Sequence, residues 1–205
     1  MSSQSISPLL SDLLYSIKEF IIYNKEIYRI SLISNLKKFN EAGYNINDKI
    51  RYKLLDKEEW CNPLQIALFY ILSSNYNNYD IIKILLNNDS DINILDIENN
   101  SILHGCILTL DLNLLEYLLN NTNIDINIKN EDNRNAFELC EYIQKHYLEL
   151  NDYKYILDKG KMTEKEFKDI LKQMRDILYQ KTIEKDLNYW GIKLSNSVFN
   201  YVVNN

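Results

Sequence analysis

The chain has 205 residues, a formal net charge of −6 and a hydrophobic share of 46%. A chain of that length buries roughly 70% of its unfolded surface, and its apolar content is too high for a disordered protein. The acidic balance opposes general binding to nucleic acid or anionic membrane, and four glycines without a phosphate-loop motif exclude a glycine-rich phosphate cradle.

Within those totals the usage is lopsided: 28 Asn and 28 Ile stand against 3 Ala. Cys61, Cys106 and Cys140 form an odd set without CxxC spacing, so neither a zinc site nor a disulfide framework is expected. With only His104 and His146 beside them, no metal, no cofactor and no catalytic residues are expected. The first residues carry no secretory pattern, and no apolar run reaches the roughly 20 residues of a membrane span. A cytoplasmic, reducing location follows.

In chain order, Leu9, Leu10, Leu13, Leu14, Ile17 and Ile21 recur at helical spacing and predict a first helix over 8–23. Leu32, Ile33, Leu36 and Phe39 are read as one face of a second, followed by Gly43-Tyr44-Asn45-Ile46-Asn47 and a long link over 47–60. Three similar segments come next. NPLQIAL at 62–68 leads to DIIKILLNNDSDIN at 80–93 through a link with extra residues over 72–77. SILHGCI at 101–107 leads to NLLEYLLNNTNIDIN at 113–127, and NAFELCE at 135–141 leads to DYKYILDKG at 152–160. The opening positions Asn62, Ser101 and Asn135 are 39 and 34 residues apart. All three are helix-capping types, and Pro63 fits a first helical turn. Thr163 and Glu166 spell a capping box before an amphipathic helix of Phe167, Ile170, Leu171, Met174, Ile177 and Leu178. A last helix is expected over 196–203 behind Ser195, with Tyr189 and Trp190 sealing a small core.

These segments resemble the ankyrin repeat, whose signature T-P-L-H-x-A recurs near every 33 residues. Asn62-Pro63-Leu64-Gln65-Ile66-Ala67, Ser101-Ile102-Leu103-His104-Gly105-Cys106 and Asn135-Ala136-Phe137-Glu138-Leu139-Cys140 occupy that signature. Leu85-Leu86 before Asp91-Ile92-Asn93, and Leu118-Leu119 before Asp125-Ile126-Asn127, occupy the family's closing pattern. The resemblance covers about 25–160 and implies an all-α, ankyrin-like α-solenoid of stacked helix pairs with N- and C-terminal helical caps. The expected division is an N-terminal cap with a degenerate first repeat over 1–50, repeats over 51–160 and a C-terminal cap over 161–205. The C-terminal helices are also open to a reading as a partner-binding element.

The small slot holds Ala67, Cys106 and Cys140, which places both cysteines as packing residues, and His104 falls in the family's structural histidine slot. Family glycines are replaced by Asp89 and Thr122 at helix ends, and by Trp60, Asn99 and Asn133 in the turns. Asn tolerates left-handed backbone and can still turn there, whereas Trp60 predicts an irregular first finger.

The resemblance implies a non-catalytic protein–protein interaction module binding through finger tips and inner helices. Carried over by position, the tips are Glu58, Glu59 and Cys61, then Ile97, Glu98 and Asn100, then Glu131, Asp132 and Arg134. The inner-helix positions are Phe69 and Tyr70, Leu108 and Thr109, and Tyr142 and Ile143. An acidic rim around aromatic anchors suits a basic protein partner, with no nucleic acid and no membrane. The Asn- and Ile-rich usage points to an AT-rich coding genome. The settings that fit are a viral or bacterial effector or inhibitor, or a bacterial immunity protein neutralising a toxin. An enzyme or structural subunit using the C-terminal helices is the rival class.

Overall fold

The computed structural model describes residues 7–54, 57–73, 78–150, 153, 157 and 161–189. Among the described residues are eight helices and one two-stranded hairpin. The chain divides into two compact units, Met1–Asp96 and Ile97–Asn205.

The first unit opens with α1 (Pro8–Tyr23). Its start is set by Ser7, whose hydroxyl accepts from the Leu10 N–H at 3.2 Å, and by Pro8 in the first turn. Asn24, left-handed at φ 45°, ends it. Helix α1 packs on α2 (Glu26–Glu41), α3 (Pro63–Ser73) and α4 (Asp80–Leu86). Leu13, Ile17, Leu32, Leu36, Leu64, Ile66, Ile81 and Leu85 are fully buried in this core. Ile33 departs from expectation. At 100° per residue it lies about 90° round from the centre of the stripe formed by Leu32, Leu36 and Phe39, and it is exposed.

The link over 47–60 is not the irregular loop its tryptophan suggests. Strands β1 (Ile50–Leu54) and β2 (Lys57–Cys61) pair antiparallel, with Ile50 opposite Cys61 and Arg51 opposite Trp60. An extended strand asks no positive φ of Trp60, and β-propensity favours an aromatic there.

The second unit contains α5 (Ile102–Thr109), α6 (Leu112–Asn121), α7 (Ala136–His146) and α8 (Glu164–Tyr189). Helix α5 packs on α6 and α7, and α8 covers α7 and α6. Thr163 and Glu166 form the expected capping box: the Thr163 N–H donates to the Glu166 carboxylate at 2.8 Å, and the Glu166 N–H to the Thr163 hydroxyl at 3.2 Å. Phe167, Leu171, Met174 and Leu178 are buried, and the rings of Tyr147 and Tyr153 each lie 5.2 Å from that of Phe167. The expected seal by Tyr189 and Trp190 and the helix over 196–203 lie outside what is described.

Ile46, Ile92 and Ile126 are buried where the chain leaves each helix pair. Asn99 and Asn133 take the left-handed conformation at φ 57° and 59°, as does Asp89 at 66°. Thr122 instead closes α6 in extended backbone at φ −136°.

Candidate functional site

The scaffold starts at the caps of the inner helices. The Gln65 N–H donates to the Asn62 side-chain oxygen at 2.9 Å, and the Glu138 N–H to that of Asn135 at 2.9 Å. Gln65 and Glu138 reach back to the cap N–H groups at 3.1 and 2.8 Å. In α5 the same slot is His104, whose Nδ1 accepts from the Ser101 N–H at 3.1 Å. That bond leaves the proton on Nε2, which donates to the Arg134 carbonyl at 2.8 Å. Gln65 likewise donates through Nε2 to the Leu95 carbonyl at 2.9 Å. In each unit a buried or half-buried side chain on an inner helix therefore holds the end of the following finger.

In the second unit the two fingers are joined directly. The Glu131 N–H donates to the Glu98 carbonyl at 3.1 Å, and the Asn130 amide to the Asn100 side-chain oxygen at 3.1 Å. The Asn130 side chain also accepts from the Arg134 N–H at 3.1 Å. Asn100, expected at a tip, is buried: its amide donates to Glu98 at 3.2 Å, so it holds the finger and does not meet solvent. Ile143 is also buried, turned into the core of α7.

The remaining positions of this unit come to the surface. Ile97 and Leu108 are 67% and 44% exposed, large values for apolar side chains. Thr109 is exposed, with its hydroxyl turned back to the Gly105 carbonyl at 2.8 Å. The Arg134 guanidinium lies 3.8 Å over the Tyr142 ring, which stacks on His146 at 4.7 Å. Asp132 pairs with the same guanidinium at 2.8 Å. Glu98, Glu131, Asp132 and Glu141 are exposed carboxylates. Finger and inner helix thus meet in one column, Arg134–Tyr142–His146, inside the second unit.

The first unit presents its own aromatic group. Phe69 meets Tyr70 edge-on at 5.9 Å, the Tyr70 and Tyr52 hydroxyls are 3.3 Å apart, and the Lys18 ammonium lies 5.9 Å from the Tyr70 ring. Burial and the Tyr70 hydrogen bond push the Tyr52 phenol above its usual range. The side chains of Glu58 and Glu59 lie outside what is described. Next to them in sequence Trp60, expected to mark an irregular finger and not a binding position, is 57% exposed on β2. The alternation of Ile50, Tyr52 and Leu54 with Arg51 and Lys53 was the signal that a strand, and so an outward tryptophan, stood here.

The cysteines pack. Burial raises the Cys106 thiol well above its usual range and lifts Cys140 to about 12. The Cys140 thiol donates to the Leu171 carbonyl at 3.2 Å. Among the described residues no helix is long and apolar enough to cross a membrane.

No curated protein matches the chain. The family described as ankyrin repeats (many copies) matches residues 68–119, which run from α3 through α6. With the caps, left-handed turns and paired helices in place, residues 68–119 are a divergent ankyrin-repeat segment within an all-α, ankyrin-like fold.

Proposed function

We propose that the chain is a non-catalytic binder that captures a basic protein in the cytoplasm, as an effector or inhibitor, through the finger tips and inner-helix face of its second unit. Ankyrin repeats are generally protein–protein interaction modules and typically non-catalytic. The observation that carries the reading is the Arg134–Tyr142–His146 column with Asp132 paired to its guanidinium, in the unit that also exposes Ile97, Leu108 and the carboxylates of Glu98, Glu131 and Glu141. Exposed aliphatic groups and a rigid aromatic suit an interface core, and the carboxylates would steer a positively charged partner. Three buried cysteines without disulfides support a reducing compartment.

The test is quantitative capture from the native host with the wild type and with Leu108→Ala/Tyr142→Ala, both checked for a native circular dichroism spectrum. The wild type retains a basic protein, and the variant retains at least about tenfold less, as loss of interface anchors predicts. Equal retention, or an acidic partner, overturns the placement.

A further inference from the structure

The solvent face of α2 differs from those of the other second helices. Helix α4 turns Asp80 and Lys83 outward, and α6 turns out Asn113, Glu116 and Asn120. Helix α2 exposes Ile27 at 66%, Ile30 at 56% and Ile33 at 44%. The buried side of the same helix, Leu32, Leu36 and Phe39, is already covered by α1. Among the described residues the apolar row is therefore surplus to the fold of the unit.

We infer that this face pairs with α2 of a second copy, antiparallel, about a two-fold axis at Ile30. Two features select that occupant. The isoleucines are evenly spaced, three residues apart, so a two-fold at Ile30 sets Ile30 on itself and Ile27 against Ile33 of the second copy. The charges are also ordered along the helix. Glu26 lies on this face at the N-terminal end and Lys37, with Glu41 one turn beyond it, at the C-terminal end, all three exposed. Antiparallel pairing places Ser34 opposite Glu26 of the second copy and Lys37 three residues beyond, about 4.5 Å along the axis and within reach. Parallel pairing would set like charge on like. In the single chain Glu26 holds Arg29 at 3.0 Å and Lys37 holds Glu41 at 3.7 Å. Exposed pairs of this kind are weak, so exchanging them across an interface costs little. The face spans one helix of 16 residues, about 24 Å long, which sets the dimer at the small, concentration-dependent end of the interface range.

Sedimentation equilibrium of the full chain from about 1 to about 200 µM tests this, over the range where a small interface associates. The mass is expected to rise with concentration from 24.4 kDa toward about twice that value. Ile30→Glu, a surface change, holds the mass at that of one chain with an unchanged melting temperature. Glu26→Lys weakens the dimer about tenfold, and adding Lys37→Glu restores it to within about threefold, as re-paired charges should. A wild type that stays monomeric throughout overturns the inference. So does a fall in melting temperature of Ile30→Glu without any dimer, which would show the face covered by its own chain. A dimer that survives Ile30→Glu, or one that the double charge exchange fails to restore, overturns it equally.

Discussion

Asn62 and Ser101 occupy the same slot, but their hydrogen-bonding ledgers differ. The Ser101 hydroxyl meets His104 Nδ1 at 2.8 Å. The Asn62 side chain uses its oxygen for the Gln65 N–H, while its Nδ2 is buried with no hydrogen-bond partner. A buried donor without an acceptor costs about 1–3 kcal/mol. Asn62→Thr keeps the cap oxygen, removes the orphan amide and offers a hydroxyl to the Gln65 side chain. It should stabilise the chain by about 1 kcal/mol, read as a higher urea midpoint at unchanged slope; an equal or lower midpoint refutes this account. The sequence shows Asn62 as a cap because residue type and position decide capping. It does not show the orphan, which depends on which neighbouring carbonyls fall within reach. The same limit applies to Asn100. Its place in a finger was legible, but its inward turn is decided by Asn130 and Glu98.

Helix α8 was legible from its capping box and apolar period, and Phe167, Leu171, Met174 and Leu178 are buried as those signals require. Its role as a cover rests on Phe167, which is fully buried and flanked by the Tyr147 and Tyr153 rings. The Tyr147 hydroxyl also donates to the Glu164 carboxylate at 2.6 Å, pinning the start of the helix to α7. Phe167→Ala should therefore cost about 3–5 kcal/mol, the range for a buried aromatic truncated in a core. Equilibrium urea unfolding gives the value, and a loss near zero would mean that α8 is merely appended. The β1–β2 hairpin was less legible. Its alternating residues run into a Lys-, Asp- and Glu-rich stretch over 53–59, and one tryptophan in a turn slot of the repeat pattern argued for irregularity. Pairing across the strands outweighed that single mismatch.

At the scale of the whole molecule the net charge of −6 acts on encounter more than on grip. Association with a basic partner should slow at least about tenfold between about 0.05 and 0.5 M salt, with dissociation little changed, because screening weakens steering but not a desolvated core. Surface plasmon resonance separates the two rates, and a salt-independent association rate removes the electrostatic part of the proposal. The repeat class was legible because caps, small packing slots and closing Ile-Asn pairs recur together. The partner was not, because exposed side chains such as Leu108 and Trp60 are free of those structural demands. One further consequence lies in the bonds from Gln65 to Leu95 and from His104 to Arg134. Each donor and its acceptor fall between one helix cap and the next, within 62–100 and within 101–134. Both acceptors are main-chain carbonyls, one from a leucine and one from an arginine, so the latch asks nothing of the finger's side chains. The helix-side donor alone must be kept, and the finger that it holds is left free to vary in sequence.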